Sequence, residues 1–255
     1  MRWRHLGVNP AALAVAPTAN HTEPDPPSAK EAAAVISAAL RDPDWGVLLW
    51  LIMITGMRRG EISALRWRHV DFATATLIVH RANAQPKAGV KEKQTKTRQQ
   101  RRIAIDPQTA ALLLEHRERW EQRCRLLGDE FHDDLYVFSP VPDASAPDGP
   151  RSLSHRYRRL AIKLGLRSTR LHALRHYSAT ELIAAGVDVR TVAGRLGHGS
   201  GGATTLKVYA AFVDEADRRA ATTMIAIMPS PIAAPPLPRA TYEVIIGPPQ
   251  LAIGI

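Results

Sequence analysis

The tetrapeptide His-x-x-Arg occurs three times in this 255-residue chain, at His116/Arg119, His155/Arg158 and His172/Arg175. On a helix, positions i and i+3 share a face, so each copy can set an imidazole beside a guanidinium, a pair able to hold one phosphate. A single copy reads first as an exposed charged helix face, and at least two of the three must be incidental to any one site. Positive charge is nonetheless concentrated around two of the copies. Residues 151–180 hold Arg151, Arg156, Arg158, Arg159, Lys163, Arg167, Arg170 and Arg175 with no Asp or Glu. A second block, 91–102, sets Lys91, Lys93, Lys96, Arg98, Arg101 and Arg102 against Glu92 alone. Such blocks seek phosphates.

The whole chain carries a formal net charge of +10, from 34 Lys+Arg against 24 Asp+Glu. That excess favours a polyanion, with nucleic acid or an anionic membrane surface first. The longest apolar stretch, 47–54, is far shorter than the roughly 20 residues a spanning helix needs and runs into Arg58 and Arg59, so no membrane segment is expected. Arg2 and Arg4 are followed by no apolar signal core, which points to the cytoplasm. A single cysteine, Cys124, excludes an internal disulfide and a multi-cysteine metal site. The His132-Asp133-Asp134 cluster and His176 lack matching partners and read as structural or exposed.

The elements that must position these groups are mostly helices. Residues 1–27 form a Pro-interrupted linker, and the folded body begins at Ser28, which with Glu31 makes a capping box for a helix over 29–41. A second helix, 44–55, is apolar on nearly all sides and belongs at the centre of the core. It stops at Gly56, and the next helical segment, 59–65, starts at once, which puts Arg58 at a break between helices. Strand-like residues 76–80 and 103–105 bracket the basic stretch, predicting a small antiparallel sheet with its middle turn at 91–97. Asp106 and Pro107 open a helix that runs to 127. Residues 140–150 read as a loop, followed by helices at 154–164, 172–185, 188–196 and 203–211. Seven prolines between Pro229 and Pro249 predict a disordered tail, 229–255. The expected fold class is mainly α with a small antiparallel sheet, α+β.

The third His-x-x-Arg copy differs from the others in its company. Leu171-His-Ala-Leu-Arg175-His is followed by Ala185-Gly-Val187, Gly194-Arg-Leu-Gly-His198 and Thr204-Thr-Leu-Lys-Val-Tyr209. Upstream stand Thr55-Gly-Met-Arg58-Arg-Gly-Glu61-Ile-Ser-Ala-Leu65 and Thr95-Lys96-Thr-Arg98. In order and spacing these motifs resemble the catalytic domain of the tyrosine recombinase (phage integrase) family, over residues 28–222. The resemblance implies that Arg58 is the first catalytic arginine, Lys96 the lysine on the β-hairpin, His172 and Arg175 the second box, His198 the second histidine and Tyr209 the nucleophile. Glu61 matches the acidic residue that orients the arginine. It also implies double-stranded DNA as partner, with Arg59, Lys93, Arg98, Arg156, Arg159 and Arg170 as DNA-binding residues. Neither metal nor cofactor is implied. A homotetramer on DNA would form through 214–228, between Asp214 and Met228, within a catalytic domain spanning 28–228.

The chemistry of that set follows from its parts. A phenol with a reference pKa of about 10 needs neighbours that stabilise the developing phenolate or accept its proton, and His172 and the arginines can serve. Two guanidiniums bind the nonbridging oxygens of a phosphodiester under attack in fixed geometry. An ammonium, Lys96 before Lys93, can protonate the departing 5′ oxygen. The 3′-phosphotyrosine conserves the bond energy, so another 5′-hydroxyl can reverse the step and exchange strands. Alone, Tyr209 would read as a half-buried core aromatic and His198 as a helix C-terminal residue. Only about 27 residues precede the body, where many relatives carry an N-terminal clamp domain, so weak cleavage is expected from this chain. The alternative is a truncated, catalytically weak or inactive DNA-binding remnant of an integrase; a monomeric type IB topoisomerase would share the chemistry.

Overall fold

Ser28 caps the first helix as its spacing predicts: its hydroxyl accepts from the Glu31 N–H at 3.3 Å, and the Glu31 carboxylate accepts from the Ser28 N–H at 2.7 Å. The computed structural model describes residues 25–86, 89–94 and 100–198. Helix α1 (Ala29–Ala39) buries Ala32, Val35 and Ala39 against α2 (Pro43–Thr55). Helix α2 is capped by Asp42, buries Trp45, Val47, Leu48, Leu49, Leu51 and Ile52, and ends at Gly56 in the left-handed conformation, φ 63°. A helix apolar on all sides needs neighbours on all sides, and α2 has them in α1, α4 (Pro107–Leu127) and α6 (His172–Ala184). The short α3 (Arg59–Ser63) follows two residues after Gly56.

The β region differs from expectation. Two sheets form: β1 (Val70–Asp71), β2 (Thr76–Val79) and β5 (Arg101–Ala104) make one, while β3 (Arg81–Ala84) and β4 (Lys91–Gln94) make the other, all antiparallel. Residues 91–94, read from sequence as part of the middle turn, are a strand. Their polarity hid them, since Lys91 and Lys93 are exposed while Glu92 turns inward to Arg66 at 3.3 Å and Arg81 at 3.2 Å. The alternation is therefore between two kinds of charge, with no apolar face to betray it. The chain passes from one sheet to the other at His80. Across that point Val79 pairs with Arg101 and Arg81 with Gln94, so two steps along one strand face seven along the other.

Helix α5 (Pro150–Lys163) starts four residues earlier than expected, with Pro150 at its first position, where the missing N–H costs nothing. Residues 135–138 are buried, and a bridge between Tyr136 and Arg66, with the Val137 N–H donating to the Leu65 carbonyl at 2.9 Å, ties them to the segment that follows α3. Helix α7 (Val189–Leu196) packs on α6 through a small second cluster of Ala179, Ile183, Val192 and Leu196. The helix read at 203–211 and the tail lie outside the described residues.

Candidate functional site

Three chain segments that end or begin at helix termini meet in one place. Helices α2 and α7 both present their C-terminal carbonyls there, and such carbonyls lack partners within their own helix. Arginines supply them. Arg175, 2% exposed on the first turn of α6, donates through Nη1 to the Gly56 carbonyl and through Nη2 to the Leu196 carbonyl at 2.8 Å. Arg58 donates to the Gly197 carbonyl at 3.2 Å, and Arg101 through Nε to the Arg195 carbonyl at 2.9 Å. Three successive carbonyls, 195 to 197, thus each hold a different guanidinium at the negative end of the α7 dipole.

Glu61, 3% exposed, fixes Arg58 from the other side. Its carboxylate accepts from the Arg58 N–H at 2.8 Å and from Arg58 Nη1 at 3.1 Å, and takes a bidentate pair from Arg101 at 3.0 and 2.7 Å. Burial pushes this carboxyl up, but the Arg101 and then the Arg58 hydrogen bonds and charges more than reverse it, holding it below the usual carboxylate range. These contacts hold the Arg58 backbone and side chain together. Gly60 is needed because a Cβ there would sit 2.5 Å from the Asn83 carbonyl oxygen on β3.

The imidazoles are held neutral. His198 Nε2 lies 2.9 Å from Arg175 Nη2; a guanidinium only donates, so this nitrogen accepts and the proton sits on Nδ1. Desolvation, then Arg175, Arg58, Arg101 and His176, push the His198 ring down to about 4. His172 keeps a face open to the cleft, yet its neighbours strip water from much of the ring, and His176, Arg175, Arg58 and Arg59 add repulsion, so it too falls to about 4. His176, read from sequence as lacking partners, stacks edge-on to His172 with centroids 4.6 Å apart.

Arg58, His172 and Arg175 line a cleft of about 810 Å³, with Arg59, Ser154, Thr169 and Arg170 around them. His155 and Arg158, a second His-x-x-Arg copy, line it as well. Helix α5 turns that pair toward α6. The remaining copy is neither functional nor an exposed face: His116 is fully buried, 2.7 Å from the Val137 carbonyl and 3.2 Å from Asp44.

Of the proposed DNA-binding residues, Arg59 lines the cleft and donates to Ser154 at 2.9 Å, and Arg170 lines it too. Arg156 does not; it pairs with Asp42 and lies 4.4 Å over the Trp45 ring. Lys93 and Arg159 are exposed and stand outside the cleft lining. Lys96, Arg98 and Tyr209 lie outside the described residues. Sequence reasoning missed Arg101 and Arg195 as parts of the site. Arg195 donates to the Ala104 and Ile54 carbonyls, each at 3.0 Å, and so fastens α7 to β5 and to the end of α2. No group of three metal-ligating side chains occurs among the described residues. Asp133 and Asp134 are engaged by Arg117 and Arg68, and Cys124 is buried in the core.

The phage integrase family model matches residues 29–215. The chain belongs to the phage integrase family. Within it, the sequence is 29% identical over 206 residues to a tyrosine recombinase XerC-like protein of Caldanaerobacter subterraneus subsp. tengcongensis, covering 74% of this chain and 51% of that one. It is 31% identical over 157 residues to the ICEBs1 integrase of Bacillus subtilis, covering 61% and 42%. The chain spans about half the length of the curated relatives it matches. The XerA recombinase crystal structure superposes with a TM-score of 0.58 at 25% identity, over 79% of this chain and 65% of that one. The Tn1549 transposon integrase, solved with transposon right end DNA, gives 0.66 at 20% identity over 81% and 67%, a likeness of fold. The fold is that of the tyrosine recombinase catalytic domain, as the motifs implied. Among the described residues no helix is long and apolar enough to cross a membrane.

The neutral histidines carry a consequence for stability. Unfolded imidazoles protonate near pH 6.5, whereas His172, His198 and the buried His69, lowered to about 4 chiefly by burial and then by His80, protonate only near pH 4. Between those values the unfolded chain binds more protons, so stability is full above pH 6.5 and is lost as pH falls toward 4. The melting temperature of the DNA-free protein is expected to drop by several degrees from pH 7 to pH 5, ahead of most carboxylate titration. A flat profile across that interval would contradict the neutral assignment.

Proposed function

We propose that this chain is the catalytic part of a site-specific DNA recombinase or integrase that cleaves and rejoins DNA through a 3′-phosphotyrosine. The observation that carries the reading is the meeting of Arg58, His172 and Arg175 at one basic cleft, with His198 held against Arg175 at 2.9 Å, a set drawn from three distant stretches. In the cleavage step the Tyr209 oxygen forms a bond to phosphorus while the bond from phosphorus to the 5′ oxygen breaks. Neutral His172 can take the phenol proton, which a protonated ring could not. Arg58 and Arg175 hold the nonbridging oxygens as charge builds on them. His198, with its proton on Nδ1, supports the same phosphate beside Arg175. Lys96 gives a proton to the departing oxygen, and a different 5′-hydroxyl then reverses the sequence and joins a new strand.

Chain length permits the assembly. Tyr209 stands eleven residues after His198, a stretch that can span up to roughly 36–40 Å, and Lys96 stands two residues past Gln94 and five before Arg101. In this reading the catalytic domain covers 28–228, with 1–27 before it and the Pro-rich segment 229–255 after it. Double-stranded DNA is held by Arg59, Lys93, Arg98, Arg159 and Arg170, with Arg156 shared with Asp42. Segment 214–228 joins neighbours in a homotetramer on DNA, in the cytoplasm. Relatives that are integrases, and a fold neighbour solved on DNA, support the reading.

The test is covalent trapping. Full-length protein incubated with a pool of randomised nicked duplexes is expected to form an SDS-resistant adduct, and peptide mass mapping should place the nucleotide on Tyr209. An adduct on another residue would overturn the nucleophile assignment. Salt-dependent binding of the pool with no adduct would favour the noncatalytic alternative.

A further inference from the structure

Arg101 was legible in the sequence only as one cation in a basic stretch, yet its side chain is 12% exposed and more tightly bound than Arg58, which is 41% exposed. Three of its side-chain hydrogen bonds join three segments: β5, which begins at Arg101 itself; the Glu61 carboxylate of α3; and the Arg195 carbonyl in the last turn of α7. Glu61 accepts four hydrogen bonds, two from Arg58 and two from Arg101, which is the capacity of an ionised carboxylate. The Arg101 pair is the shorter-bonded of the two on the side-chain atoms, 2.7 and 3.0 Å against 3.1 Å.

The charge count decides what this sharing does. Both guanidiniums are permanently ionised, so Arg58, Arg101 and Glu61 together carry +1. Without Arg101, Glu61 would face Arg58 alone, and the pair would be neutral in a site where water screens poorly. A neutralised Arg58 attracts a phosphate weakly. With Arg101 in place, the carboxylate still orients Arg58 through its N–H and Nη1, while its charge is answered from the side away from the cleft; Arg58 lines the cleft and Arg101 does not.

We propose that Arg101 is a positioning residue that takes up the charge of Glu61, so that Arg58 is held in place by a carboxylate and still presents net positive charge to a phosphate in the cleft. The inference rests on the reading of Arg58 as a phosphate-binding group. It predicts an order of variants that a purely structural role would not produce, because the charge of the trio is 0 in Arg101→Ala, +2 in Glu61→Gln and +1 again when both are changed.

The experiment uses the full chain and measures affinity for inorganic phosphate through the histidine ring resonances, together with the rate of adduct formation on the randomised nicked duplex pool. Arg101→Ala is expected to weaken phosphate binding about tenfold, and Arg101→Lys, which keeps the charge, to stay within about threefold of the parent. Adding Glu61→Gln to Arg101→Ala should recover most of the lost affinity and raise the adduct rate above that of Arg101→Ala alone. Where the alanine variant does not fold, Arg101→Gln, which can still donate to Glu61 without charge, takes its place in the same comparison. A double variant as weak as Arg101→Ala, or a lysine variant as weak as the alanine one, overturns the inference while leaving the recombinase reading intact. A parent chain that binds no phosphate and forms no adduct overturns both.

Discussion

Replacing Arg175 by alanine is expected to lower the rate of covalent DNA cleavage by about 10²–10³ and, in the same protein, to destabilise the fold by about 3–5 kcal/mol. The two losses have separate origins. For catalysis, the proposed mechanism makes Arg175 one of two guanidiniums that bind the phosphate, and a donor removed from a charge-stabilising site is worth several kcal/mol of barrier. For stability, its side chain is 2% exposed and satisfies the Gly56 and Leu196 carbonyls and His198 Nε2. Alanine leaves those acceptors buried without that donor, at about 1–3 kcal/mol each. Arg175→Lys separates the effects: an ammonium keeps the charge but lacks the planar fork needed to reach two helix ends at once, so it should retain more phosphate affinity than stability. Urea midpoints and adduct rates measured where each variant is folded check both halves. An alanine variant as stable as the parent would mean that α2 and α7 close against each other without the arginine.

The same arrangement shows how the proposed phosphate site can be built from helix C-termini, which repel anions. The carbonyls at the ends of α2 and α7 are not offered to the ligand. They hold arginines, and the arginines face the cleft or support those that do. Arg195 binds the Ile54 carbonyl, Arg175 the Gly56 and Leu196 carbonyls, Arg101 the Arg195 carbonyl and Arg58 the Gly197 carbonyl. Each helix dipole favours a cation at its terminus, so positive charge is gathered there with reduced mutual repulsion. The cost is borne by the histidines, which lie within the field of these arginines and are kept neutral. That neutrality is what a proton acceptor for a phenol requires at pH 7.

How far this could be read beforehand depended on the kind of signal. The capping box at Ser28, the all-round apolar α2 and the Asp106-Pro107 start of α4 are local, and each stands where its pattern put it. Arg58, Glu61, His172, Arg175 and His198 were legible as motifs, and the structure gathers them because Gly56 and Gly197 end helices beside the start of α6. Strand β4 was not legible, because both its faces are polar and its inward residue, Glu92, is held by Arg66 and Arg81 from other elements. Arg101 was hidden for a similar reason. In the sequence it is one of six cations in a short stretch, and only the register of β5 against β2, with Arg101 opposite Val79, aims it at Glu61 forty residues away. The role of His155/Arg158 depends on which way α5 faces once Leu153, Tyr157 and Ala161 are buried, a tertiary fact that spacing alone does not contain.

Gly56→Ala should be the most damaging single methyl group that can be added near the site, costing about 2–5 kcal/mol. Two terms contribute. Gly56 has φ 63° and ψ 21°, a left-handed conformation that costs a residue with a Cβ roughly 1–2 kcal/mol. The added Cβ would also lie 2.3 Å from Cδ2 of Leu196, a fully buried leucine that must shift to admit it. Overpacking of this kind costs about 1–3 kcal/mol. Leu196→Ala alone leaves a cavity and is itself destabilising, by about 2–5 kcal/mol, but in the Gly56→Ala background it removes the collision. The two changes should therefore be less than additive by about 1 kcal/mol or more in urea unfolding, the residue of the cost being backbone strain. Additive losses would show that the contact is relieved some other way. Cleavage should suffer beyond stability, because the methyl group pushes the end of α7 away from the end of α2. The carbonyls that hold Arg58, Arg101 and Arg175 then separate by the same displacement, and a shift near 1 Å can lower the rate of a positioned reaction by about 10².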